Sequence, residues 1–164
     1  MDYIIARAQQ QKSTLAIALI DMEKAFDTVP RARLMEVLQQ QYHIDPNMVE
    51  VIRRMYIDTQ GQVAGGTARF TTTMGVRQGC PMSPLLFSLF FDRVIYYIQQ
   101  HTQATDAISV VFLVLQAALY ADDVILLAPK PTSLQVQMDL LAAFSATEAM
   151  RVSHDKTKIL LLNC

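Results

Sequence analysis

The chain has 164 residues, of which 52% are hydrophobic and 18% charged, with a formal net charge of −1. That length suits one domain with a real core, and the charge balance carries no overall basic signature of a nucleic-acid binder, although a local basic groove stays open. Cys80 and Cys164, with His43, His101 and His154, do not form a zinc pattern, and a reducing intracellular compartment is the default expectation.

Residues 1 to 12 read as the tail of a helix, with Ile4, Ile5 and Ala8 on one side and a polar end at Gln9 to Lys12. No capping residues precede it, as expected of a chain cut from something longer. Asp2 and Arg7 interrupt any apolar start, so no signal peptide is expected. Leu15 to Ile20 is a continuous apolar run ending at Asp21, the pattern of a central strand covered on both faces. Thr28 and Pro30 then signal a helix carrying Leu34, Met35, Leu38 and Tyr42, and Asp45-Pro46 opens another with Met48, Ile52, Met55 and Tyr56 on its inner side. Gly65-Gly66 fits a hairpin turn with residues 62 to 64 and 68 to 73 as arms.

Gly75 to Pro84 holds two glycines and two prolines in ten residues and predicts a shaped loop, with Ser83 and Pro84 as the cap and first position of the next helix. Residues 85 to 98 are apolar almost all round, which predicts a buried helix. Residues 108 to 119 and 124 to 128 predict strands on either side of Asp122-Asp123. The apolar stretch 107 to 119 contains Gln116 and is shorter than the ~20 residues a membrane span needs. Pro131 and Ser133 lead into a helix with Leu134, Met138, Leu141 and Phe144, and Lys158 to Leu162 predicts a closing strand. This order predicts one α+β domain over 1–164: a split βαβ (ferredoxin-like) antiparallel sheet with helices packed on one face.

Three carboxylates stand out: Asp21 at the end of one strand, and Asp122 and Asp123 where a strand pair turns. Read alone, the Asp-Asp pair is either an exposed polar turn or a cation site, because charge among hydrocarbon is costly unless something binds it. In a split βαβ sheet the first strand lies beside the central pair, so the three acids are expected to converge. Oxygen-only ligands favour hard cations such as Mg²⁺. Two ions about 3.5–4 Å apart serve phosphoryl transfer by activating one oxygen and stabilising another.

Ala18 to Asp27, Gly75 to Pro84 and Tyr120 to Asp123 resemble the successive signature motifs of reverse transcriptases. The wording Ala-Phe-Asp-Thr-Val-Pro and Arg-Gln-Gly-Cys-Pro-Met-Ser-Pro is most similar to non-LTR (LINE-type) retrotransposon enzymes, with the group II intron type more distant. The resemblance implies a polymerase palm acting as an RNA-directed DNA polymerase, with an RNA template, a DNA primer and deoxynucleoside triphosphates. It implies two Mg²⁺ ions, replaceable by Mn²⁺, on Asp21 and Asp122, with Asp123 supporting them and the Met22 carbonyl as a backbone ligand. Phe26 matches the family's gate beside the sugar, where bulk excludes a 2′-hydroxyl; its other reading is a core phenylalanine. Gln78 and Gly79 match the loop that touches nucleotide and template, glycine allowing close backbone approach.

Tyr120 and Ala121 match positions near the primer end. Lys156 matches the late-motif lysine that neutralises or protonates the leaving pyrophosphate, with Lys158 the second candidate and a solvated charge the plain reading of either. Arg77 reads equally as a template-backbone contact or a solvent-facing arginine. The late motif departs from the family where Ala149 and Ser153 replace its usual Gly and Asn. The family's basic fingers region and its thumb are also missing from this stretch, as of a partial palm from a longer polyprotein. A soluble protein in a nuclear or cytoplasmic ribonucleoprotein is the expected setting. A non-catalytic remnant or nucleic-acid-binding module that keeps the palm fold is the alternative. A palm-fold nucleotidyl cyclase is a third reading, which leaves Gly75 to Pro84 without a role.

Overall fold

The apolar run at Leu15 does form a strand, and in the computed structural model it is one of the two inner strands of a four-stranded sheet. Residues 2–57, 59–62, 66–67, 69–103, 107–110, 113–115, 117–120 and 123–163 are described. In chain order the elements are α1 (Asp2–Gln11), β1 (Leu15–Met22), α2 (Ala25–Thr28), α3 (Arg31–Gln40), α4 (Pro46–Met55), β2 (Gln60–Gln62), β3 (Arg69–Thr71), α5 (Ser83–Phe91), α6 (Arg93–His101), β4 (Ile108–Val110), β5 (Leu113–Leu115), β6 (Ala117–Tyr120), β7 (Asp123–Ala128), α7 (Pro131–Thr147) and β8 (Val152–Leu162). They divide into two compact units, one of residues 1–23 and 92–164 and one of residues 24–91. Among the described residues no helix is long and apolar enough to cross a membrane.

The first unit holds the sheet, in the order β6-β7-β1-β8 with every pairing antiparallel, as the split βαβ reading predicts. Alternation gives β1 two faces. Ala16, Ala18, Ile20 and Met22 are buried on one of them, as are Val124, Leu126 and Ala128 of β7. α7 packs against β7, β1 and β8, and the Gln137 side-chain amide donates to the Leu127 carbonyl at 3.1 Å. On the other face, Ala8 of α1 closes over Leu15, Ile17 and Leu127, with Ile4 and Ile5 beside them. Helices therefore cover parts of both faces, not one alone. Beyond Ile17 the second face opens, with Leu19 42% exposed, and edge strand β8 is open on both faces, with Leu160 exposed on the second and Ile159 and Leu161 on the first.

Two expected elements divide. In place of one strand over 108 to 119, β4 and β5 pair with each other, and Ala117–Tyr120 joins the sheet opposite Leu126 to Asp123. β7 has six residues, too few to partner an unbroken strand over 108 to 119. The apolar helix over 85 to 98 breaks at Asp92, where Arg93 enters a buried ion pair with Glu148 at 2.6 Å. Nor are the two pieces buried all round, since Leu85 and Tyr96 are exposed.

The second unit packs α3 against α4 and α5. Asp45 accepts from the Asn47 N–H at 2.8 Å with Pro46 in the first turn, so α4 starts as its sequence predicts. The hairpin strands β2 and β3 pair Gln60 with Thr71 and Gln62 with Arg69; residues 63–65 and 68 of the expected turn and arms lie outside the described residues. Ser83 does not cap α5 with its side chain. It is buried, and its hydroxyl donates to the Arg77 carbonyl at 2.6 Å.

Candidate active site

β1 and β7 run antiparallel with Ile20 opposite Val124 and Asp21 opposite Asp123. Directly opposed residues share a face, with Cβ atoms about 4.5–5.5 Å apart, and like charges so placed repel. The strand alternation that buries Ile20 and Val124 turns both acids towards the open side. Lys156 meets them there, its ammonium donating to Asp21 Oδ2 at 3.1 Å. With Lys156 69% and Asp21 24% exposed, this pair is a solvated one that contributes a fraction of a kcal/mol, roughly 0–1.

A register break in β8 brings the lysine to that place. Leu15 to Leu19 pair with Leu162 to Lys158 one for one, but the next pair is Asp21 with Ser153. Two steps along β1 thus match five along β8, and the surplus residues stand out as a bulge closed by Thr157 Oγ1 donating to the Ser153 carbonyl at 2.7 Å. Lys156 sits in that bulge. Asp21, Asp123, Lys156 and Lys158 line a cleft of about 420 Å³ floored by Leu19 and Ile125. Lys158, the second candidate of the sequence, therefore shares the cleft. Asp122 and Ala121 lie outside the described residues, and Tyr120 ends β6 paired with Asp123. Among the described residues no three His, Cys, Asp or Glu side chains gather. Met22 ends β1 opposite Val152 with its side chain buried.

The remaining candidates belong to the second unit. Phe26 is half-buried and stacks on Phe87, ring centroids 4.3 Å apart at 20°, and Phe87 stacks in turn on Phe91. One side of Phe26 is thus a core contact while part of the ring stays accessible, so the two sequence readings of this residue are compatible. The loop after β3 is tied down at several points. The Gly75 N–H donates to the Val29 carbonyl and the Val76 N–H to the Phe26 carbonyl, both at 2.8 Å. The Gln78 amide donates to Asp27 Oδ1 at 2.9 Å, while Arg77 is exposed.

Gly75 and Gly79 both have left-handed backbone, φ +83° and +80°. A Cβ on Gly75 would lie 2.7 Å from the Asp27 carbonyl oxygen, whereas one on Gly79 would meet nothing within 4 Å. Within the chain the close approach is thus at Gly75, while Gly79 has left-handed backbone with open space beside it.

Sequence reasoning missed Arg31. Its guanidinium donates to the Gly75 carbonyl at 2.9 Å and to the Thr72 carbonyl and hydroxyl, and lies 5.0 Å over the Tyr56 ring. Burial pulls its pKa below the ordinary arginine value, opposed by Tyr56. Asp27, the Gln78 partner, was also missed. Both contacts span more than forty residues, and a charged residue beside a helix start gives no sequence signal of so distant a bond.

The sheet order, with opposed acids where its two central strands end and begin, defines the α+β palm fold. Apo telomerase from Candida tropicalis, truncated of its C-terminal domain, shares it: TM-score 0.71 at 19% identity, over 98% of this chain and 34% of that one. The chain belongs to the reverse transcriptase (RNA-dependent DNA polymerase) family, which matches residues 2–163. It is 27% identical to the Pol polyprotein of the type-2 retrotransposable element R2DM of Drosophila melanogaster over 95% of its length, and 31% identical to the transposon TX1 149 kDa protein of Xenopus laevis over 94%. The chain spans 15% and 12% of those two relatives. The non-LTR character read from the motifs is borne out.

Proposed function

We propose that this chain is the palm portion of a retroelement RNA-directed DNA polymerase, joining a deoxynucleotide to a primer 3′-hydroxyl on an RNA template. The observation that carries the reading is the in-register opposition of Asp21 and Asp123 in one cleft with Lys156. Its donors fit a hard divalent cation. They are carboxylate oxygens only, they repel in its absence, and an exposed lysine is their present counter-charge. Asp21 and Asp122 would hold Mg²⁺, as the family resemblance implies, with Asp123, opposite Asp21, supporting them and the Met22 carbonyl as a backbone ligand. When bound, such a pair of ions supplies a more acidic attacking hydroxyl and charge neutralisation at the leaving oxygen.

The chain's own residues have distinct tasks in this reading. Lys156, released from Asp21, carries positive charge and a transferable proton to the leaving pyrophosphate. Phe26 excludes a 2′-hydroxyl with a ring that Phe87 holds in place. Gln78, fixed by Asp27, and Gly79 meet the nucleotide and template, Arg77 meets the template backbone, and Tyr120 and Ala121 lie near the primer end. The small share of each relative that the chain spans supports a palm that works with fingers and thumb regions of a longer polyprotein. The same fact favours the second reading, a palm that binds nucleic acid without turnover.

Primer extension on an RNA template with Mg²⁺ separates the two. The chain is expected to extend the primer, and Asp21→Asn and Asp123→Asn each to lower the rate by about a hundred-fold or more. Absence of product from wild type and variants alike would sink the catalytic claim for this chain and leave the binding module.

A further inference from the structure

The β2–β3 hairpin carries an aromatic ring that the palm chemistry does not use. Phe70 stands directly opposite Gly61, and its ring lies so close that a Cβ on Gly61 would meet Cζ at 2.5 Å. A ring laid over a strand glycine protects backbone that has no side chain of its own. That accounts for one side of Phe70. It does not account for the other, since the residue remains 52% exposed on a three-residue strand.

The exposed part of the ring borders a groove of about 670 Å³ within the second unit, a size suited to a small organic group. Its wall is made of Thr59, Thr71 and Thr73 and of the Arg77-Gln78 turn. Between Thr59 and Gln78 the chain carries two arginines, Arg69 and Arg77, and no carboxylate; both arginines are exposed. Asp27 also lines the groove, but its carboxylate already accepts from Gln78. The overall charge of −1 conceals this local balance: residues 24–91 hold seven Lys or Arg against five Asp or Glu, and the rest of the chain seven against ten.

From these features we infer that Phe70 is a stacking platform for an unpaired base of a single-stranded polynucleotide, with Arg77 of the same groove facing its phosphates. An aromatic face with flanking arginines and hydroxyls is how single strands are held without sequence preference. An acidic peptide would use the same arginine but has no need of the flat ring. The inference rests on the nucleic-acid reading above and adds a site to it: Phe70 and the threonine wall lie outside the motifs that carry the family resemblance, which the groove meets at Asp27 and at Gly75 to Gln78.

The chain has no tryptophan, so Phe70→Trp introduces a single indole reporter. Titration with an oligouridylate of about 12 nucleotides is expected to quench its emission about two-fold. A Tyr3→Trp control, at an exposed position of α1, is expected to keep its emission. By anisotropy of the same labelled oligonucleotide, Phe70→Leu should weaken binding about ten-fold and Phe70→Tyr less than about two-fold, because leucine still covers Gly61 but cannot stack. Unfolding midpoints of the two variants check that the hairpin survives both changes. An abasic oligomer of equal length should bind wild type and Phe70→Leu alike.

Wild-type affinity in Phe70→Leu, or unchanged emission from Phe70→Trp at saturation, would overturn the platform and leave nucleic-acid binding intact. If the wild-type chain bound no oligonucleotide, the nucleic-acid reading and the platform would fall together.

Discussion

Gly75 and Gly79 stand four residues apart in one loop and share a left-handed backbone, yet different constraints hold them. At Gly79 an added methyl has space, so alanine brings only the left-handed strain, about 1–2 kcal/mol. At Gly75 the same strain is joined by a collision with the Asp27 carbonyl, Cα and backbone carbon at 2.7 to 2.9 Å. That backbone cannot yield cheaply, because Asp27 also holds Gln78, and the neighbouring Phe26 and Val29 carbonyls accept from Val76 and Gly75. Gly75→Ala is therefore expected to lower the free energy of unfolding by about 3 kcal/mol or more, and Gly79→Ala by about 1. Urea denaturation of the two variants measures the difference, and equal losses would show that the collision relaxes without cost.

At the scale of elements, the corner between α7 and β8 leads into the strand whose bulge carries Lys156. The helix ends with the Glu148 N–H on the Phe144 carbonyl and the Met150 N–H on the Ser145 carbonyl, at 3.0 and 2.8 Å, around Ala149 with φ +55°. This is a Schellman ending, whose left-handed residue is usually glycine. The resemblance to the family's late motif places glycine there as well. Ala149→Gly is expected to stabilise the chain by about 0.5–1 kcal/mol, the relief of left-handed strain less the added entropy of the unfolded chain. A lower unfolding midpoint in urea would refute that account of the corner.

The same corner marks how far the sequence could be read. Strands β1 and β7 and helices α3, α4 and α7 announced themselves through apolar spacing, Asp45-Pro46 and Pro131, and Asp21 and Asp123 met as strand alternation required. The first half of β8 did not announce itself. Ser153 to Thr157 is polar because it lies on an edge and bulges, and its pairing is set by β1 rather than by its own pattern. The contact of Lys156 with Asp21 depends on that bulge, so the sequence could offer the lysine only through family resemblance. Arg31 was illegible for a related reason: its partners, Thr72 and Gly75, are a loop and not a pattern.

For the molecule as a whole, the acid cleft is a place where stability is given up for charge. Asp21 and Asp123 oppose each other in register, and the solvated Lys156 contact offsets only part of their repulsion. A divalent cation that binds the folded chain and not the unfolded one adds stability by mass action, roughly 1.4 kcal/mol at ten times its dissociation constant. Mg²⁺ is therefore expected to raise the thermal midpoint of wild type and to leave Asp21→Asn and Asp123→Asn almost unmoved. In chelator the order should partly reverse. Asp123→Asn should be more stable than wild type by about 0.2–1 kcal/mol, because the opposed charge is gone while Lys156 keeps Asp21. Lys156→Met tests the counter-charge itself. It should be less stable than wild type in chelator, and the gap should close as Mg²⁺ takes the ammonium's place, with half-saturation at a lower Mg²⁺ concentration because the lysine no longer competes. Equal midpoint shifts by Mg²⁺ in wild type and both Asp→Asn variants would assign the effect to general screening and remove the cation from the Asp21–Asp123 cleft.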